Sequence, residues 1–151
     1  MDWDAFFSKF RITEDYFKKS KCDKNCLEAI LTDYVEKWKS DYELSAESVA
    51  KRLQRVKEVH SVRMRAKDPE HLIEKIIRKQ KESRDPPKTE AKAKSKAKPK
   101  PKPRNITLEN YRQEITDLAG VRALHLFKAD WLPIHESVLG AWNLKNGEKP
   151  L

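Results

Sequence analysis

The first 57 residues carry apolar positions at helical spacing. Thr13 is placed to cap a short helix holding Tyr16 and Phe17. Leu27, Ile30, Leu31, Tyr34, Val35 and Trp38 recur at i, i+3, i+4 and i+7, which predicts one buried helix face. Ser45 is the next candidate cap, with Val49, Leu53 and Val56 behind it. At Val59 the period changes. In "VRMRAK", Val62, Met64 and Ala66 alternate with Arg63, Arg65 and Lys67, the two-residue period of a half-buried strand whose polar face is wholly basic. Asp68 and Pro69 then supply an N-cap and a first-turn proline. Leu72, Ile73, Ile76 and Ile77 form the buried stripe of the helix that follows, with Lys75 on its other side and the helix fading near Lys81. After residue 104, "GVRALHLF" is a nearly continuous apolar run, expected to be a strand covered on both faces. Asp130 is expected to cap a last amphipathic helix containing Trp131, Ile134, His135, Val138, Leu139 and Trp142.

The order is helices, strand, helix, a break, strand, helix. It predicts an α/β (α+β) arrangement with helices packed on a small sheet. The break is residues 83–104, "SRDPPKTEAKAKSKAKPKPKPR". Alternating Ala-Lys and Pro-Lys buries no apolar surface, and this tract reads as a disordered linker. It also accounts for most of the charge. The 151 residues carry a net +9, and this tract alone holds nine Lys or Arg against two acids, leaving the remainder close to neutral. Its lysines would neutralise RNA phosphates or acidic surfaces without reading sequence, although a solvated spacer needs no partner.

No apolar run approaches the ~18 residues of a membrane-spanning helix. The acidic, aromatic start "MDWDAFFSKF" is unlike a secretory signal, so a cytoplasmic protein with reduced thiols is expected. Cys22 and Cys26 stand without a nearby His or third Cys, and His60, His71, His125 and His135 show no ligand spacing.

The candidate chemistry lies at two places. Arg65, Lys67 and Lys75 gather around a strand end and the first turns of a helix, where free N–H groups and the helix dipole favour an anion. Asp117 sits at the mouth of an apolar strand, where a carboxylate must be paired or hold a cation. Arg122 is its candidate structural partner. The functional reading makes Asp117 a Mg²⁺ ligand beside cations that hold phosphate.

At these residues the chain resembles the RelA/SpoT alarmone synthetases. "RAKDPEHLIEK" looks like that family's Arg-x-Lys…Lys signature, and "EITDLAGVRAL" like its Asp-Leu-x-Gly/Ala-x-Arg strand. The resemblance covers roughly residues 58–151 less the linker. It implies that Arg65, Lys67 and Lys75 contact ATP, that Asp117 is the magnesium and catalytic aspartate, and that Arg63 and Arg122 support them. The implied reaction, that of a GTP pyrophosphokinase, moves pyrophosphate from ATP to the 3′-hydroxyl of GTP or GDP on a nucleotidyltransferase-like mixed sheet. The implied division is a helical segment at 1–57 and a partial synthetase domain at 58–151, interrupted by 83–104. The family's Tyr-x-Ser-Leu-His and Glu-x-Gln-x-Arg-Thr motifs, which serve the acceptor nucleotide, do not occur in the 151 residues. The expectation is therefore the ATP/Mg²⁺ half of a truncated synthetase, inactive alone, with its oligomeric state open. The alternative is a non-catalytic basic module that binds RNA or the ribosome through the Lys-rich tract.

Overall fold

The computed structural model describes residues 1–85 and 103–142. The linker's residues 86–102 and the "KNGEKP" turn lie outside the described residues. In chain order the elements are α1 (Trp3–Phe10), α2 (Glu14–Ser20), α3 (Lys24–Asp33), a π-helical turn (Tyr34–Trp38), α4 (Lys39–Leu53), β1 (Ser61–Ala66), α5 (Pro69–Arg84), α6 (Tyr111–Glu114), β2 (Ala119–Leu124), a 3₁₀ turn (Lys128–Asp130) and α7 (Trp131–Ala141). The fold is mixed α and β, with the two strands paired antiparallel. No described helix is long and apolar enough to cross a membrane.

The chain forms two compact units, Met1–Trp38 with Lys67–Leu118, and Lys39–Ala66 with the residues from Ala119 onward.

In the first unit, short polar side chains start the helices. Asp2 accepts from the backbone N–H of Asp4 and Ala5, Thr13 from Tyr16, and Asp23 from Cys26. Asp68 accepts from Glu70 and His71, and Pro69 fills the first turn of α5. The buried face of α5 is Leu72, Ile73, Ile76, Ile77 and Gln80, and it packs on α2 and α3. Each such aliphatic side chain contributes about 1.5–3 kcal/mol on burial. Gln80 is satisfied by donating through Nε2 to the carbonyl of Ile106, 3.2 Å away. The helix runs three residues past the expected Lys81, and Ser83 Oγ accepts from the backbone N–H of Arg104 at 2.9 Å. The two ends of the linker are thereby joined. After it, Asn110 orders the approach to α6 by accepting from the Thr107 N–H and donating to the Asn105 carbonyl.

In the second unit, α4 packs on both strands. Its buried side chains are Ala46, Ala50 and Leu53. Ser45 lies inside this helix and is not a cap. Met64 and Ala66 line a recess with Leu44 and Ala46, and Val121 and Ala123 line a groove with Val49 and Leu53. Side chains alternate across a strand, so Arg63, Arg65 and Arg122 are set against these apolar positions, and Arg65 and Arg122 also border the recess and the groove. The "GVRALHLF" run is therefore not covered on both sides. β2 alternates between half-buried and exposed, and Leu126 and Phe127 beyond it are 67% and 69% exposed. Asp130 accepts from the N–H of Phe127 and makes no side-chain cap to α7. No residue of α7 is fully buried, and its Trp131, Ile134 and Val138 line the same groove, about 800 Å³ in volume.

Candidate functional site

The first unit brings Lys67, Lys75 and Asp117 together. Lys67 Nζ donates to Asp117 Oδ2 at 2.9 Å, and Lys75 Nζ lies 2.6 Å from Oδ1. Each of the three is held by its surroundings. The Lys67 N–H donates to the Leu118 carbonyl at 2.8 Å, and the Lys67 carbonyl accepts from the Tyr34 hydroxyl at 2.7 Å. Lys75 stands on the second turn of α5, whose register is fixed by the Asp68 cap and the isoleucine stripe. Asp117 lies between buried Ile115 and Leu118, and Tyr111 of α6 is anchored through its hydroxyl to Asp33 Oδ2 at 2.8 Å.

The lysine side chains are only 10% and 20% exposed, whereas that of Asp117 is 40% exposed. Burial alone would raise the Asp117 carboxyl. The contacts of Lys75 and Lys67 overcome this and hold it at about 2. Oδ1 is buried, and the group against it is the Lys75 ammonium, 2.6 Å away. Two ammonium groups on one carboxylate leave the trio with a net positive charge.

The helix N-terminus does not share in this site as the sequence suggested. The Glu70 and His71 N–H groups already donate to Asp68, and Pro69 has none. The cationic atoms brought together are side-chain ammonium groups. Arg122, the expected structural partner of Asp117, lies on β2 of the second unit with Arg63 as its cross-strand Cα partner. Arg65 faces Gly120 in the same ladder. These three arginines are exposed and make no ion pair among the described residues.

A magnesium ion does not fit the trio as it stands. A hard divalent cation needs several oxygen ligands. The trio offers a single carboxylate, and each of its oxygens faces an ammonium group. Among the described residues, no three His, Cys, Asp or Glu side chains group as metal ligands. Cys22 and Cys26 are both half-buried, and burial pushes the Cys22 thiol up.

Three contributors were not apparent from the motifs. Tyr34 had the spacing of a core residue, and its hydroxyl sets the Lys67 backbone. Lys79 donates to the Glu114 carbonyl at 2.6 Å, and Arg104 Nη1 reaches Glu114 Oε2 at 3.1 Å. The i, i+4 spacing of Lys75 and Lys79 was the available signal for Lys79. Arg104 closes the linker and carried no signal of its own.

Compared with known proteins, the chain matches no family model, no curated protein and no solved structure.

Proposed function

We propose that this chain carries the ATP-binding half of a RelA/SpoT-type alarmone synthetase site, and that Lys67 and Lys75 hold the nucleotide's phosphates. The observation that carries this reading is the pairing of both lysines with Asp117. Lys67 and Asp117 are 50 positions apart in the sequence, in two separate motifs of the resemblance, and their side chains are bonded. A fortuitous likeness in either motif would not require them to meet.

In this reading Asp117 is the resting counter-ion of two enclosed ammonium groups. It keeps them aimed at one point while no ligand is present. An incoming phosphate offers more oxygens than the carboxylate, so the two ammonium groups exchange their contacts with Asp117 for contacts with it, and Asp117 is freed as they turn. Magnesium is supplied by the resemblance alone, and no part of the binding argument depends on it. The proposed fold is the first part of a nucleotidyltransferase-like sheet. The proposed acceptor is GTP or GDP, whose motifs the 151 residues do not contain.

The test is equilibrium binding of ATP to the full chain. Lys67→Ala and Lys75→Ala should each weaken binding by about tenfold or more, the loss of one charge-assisted contact. Unchanged affinity in both variants would refute the assignment.

A further inference from the structure

The cations of the first unit do not end at Lys75. Lys79 lies four residues on along α5, so its Cβ is about 5–6 Å from that of Lys75 on the same face. Like charges at this spacing destabilise a helix. Such a pair is ordinarily relieved by an acid, yet Lys79 makes no ion pair among the described residues. Its hydrogen bond goes to the neutral carbonyl of Glu114. The Glu114 carboxylate is taken by Arg104. Four cations, Lys67, Lys75, Lys79 and Arg104, are thus gathered on two acidic residues, Asp117 and Glu114.

We propose that Lys79 and Arg104 form a second phosphate position, one helical turn from Lys75, so that the site prefers an extended polyphosphate chain to pyrophosphate or a single phosphate. The inference rests on the reading of Lys67 and Lys75 as phosphate ligands and adds a residue-level basis for length selectivity. One turn of helix advances about 5.4 Å. A single phosphate held by Lys75 does not span that distance, and a triphosphate chain does. Lys79 keeps donor capacity, since an ammonium carries three N–H bonds and one is spent on Glu114. Arg104 has a planar fork with further N–H groups beyond the one bonded to Glu114. The crowding is also felt in protonation. Burial lowers the Lys79 pKa, and Arg104 and Lys75 lower it further, against the pull of Glu114 and Asp117. An anion at this position relieves both costs.

A purely structural role is the competing account, because Lys79 satisfies a carbonyl at the last residue of α6. Lys79→Gln separates the two, since glutamine keeps an N–H donor for Glu114 and removes the charge. The experiment titrates metal-free pyrophosphate and tripolyphosphate by calorimetry into the full-length wild type, Lys79→Gln, Arg104→Gln and Lys75→Ala. In the wild type, tripolyphosphate should bind more tightly than pyrophosphate. Lys79→Gln and Arg104→Gln should each weaken tripolyphosphate by about tenfold and leave pyrophosphate within about twofold. Equal losses for the two anions, or no loss for either, would overturn the second position. Lys75→Ala reports on the underlying reading by itself. Loss of both anions there upholds the primary site whatever Lys79 does, and loss of neither removes both proposals.

Discussion

Lys75 Nζ lies 2.6 Å from Asp117 Oδ1, and Lys67 Nζ lies 2.9 Å from the other oxygen of the same carboxylate. Removing the acid would leave two largely enclosed ammonium groups without a partner. Removing either lysine would leave a net neutral pair. Asp117 is thus the shared partner of both ammonium groups, and the trio as a whole carries a net positive charge.

The first prediction concerns pH. Asp117 titrates at about 2 in the folded chain, below its ordinary 3.8. A depressed carboxyl stabilises the fold above the unfolded value. That stabilisation is complete above about pH 4 to 5 and is lost as the pH falls from 3.8 towards 2. Solvent reaches two-fifths of the side chain, so screening holds its contribution to about 1 kcal/mol. Denaturant titrations at pH 6 and pH 2.5 should therefore show a steeper loss in the wild type than in Asp117→Asn. Parallel losses would show that the pairing is not felt in solution.

Arg63 and Arg122 are direct cross-strand partners, and neither has an acid among the described residues. Like charges placed opposite each other oppose pairing by about 0.2–1 kcal/mol. Arg63→Thr should raise the urea midpoint by a corresponding amount with an unchanged m-value. A lowered midpoint would mean that Arg63 has a stabilising contact that outweighs the repulsion.

Much of the local structure was legible because single residues decide it. Asp68-Pro69 fixes the start of α5, Thr13 caps α2, and the Arg/apolar alternation from Val62 to Ala66 marks β1. The misreadings have specific causes. The π turn at Tyr34–Trp38 adds a residue to the helical repeat and rotates the stripe that follows. Val35 is consequently exposed, and α4 buries the alanines 46 and 50, which a search for large apolar residues passes over. The apolar run after Gly120 suggested a doubly covered strand, whereas only the face bearing Val121 and Ala123 has α4 against it. The motifs singled out Lys67, Lys75 and Asp117, which the fold brings together. Their pairing depends on Tyr34, the Leu118 carbonyl and the Tyr111–Asp33 bond, which are contacts across the fold that no local pattern encodes.

The tract between the motifs should be replaceable. Ser83 and Arg104 are bonded to each other, so the two ends are already held together by the folded unit. Exchanging residues 86–102 for a Gly/Ser spacer of equal length should change unfolding stability by less than about 0.6 kcal/mol, the cost of doubling a flexible loop. A drop of several kcal/mol in denaturant unfolding would show that the tract packs on the fold.

The most direct test of the central claim is calorimetric titration of metal-free ATP into wild type, Lys75→Ala and Asp117→Asn. If the lysines are the phosphate ligands and Asp117 their resting counter-ion, the two variants move in opposite directions. Lys75→Ala should bind about tenfold or more weakly, and Asp117→Asn, which frees both ammonium groups, should bind more tightly than wild type. Weaker binding in both variants would contradict the account, because it would make Asp117 a contributor to nucleotide binding and not its competitor.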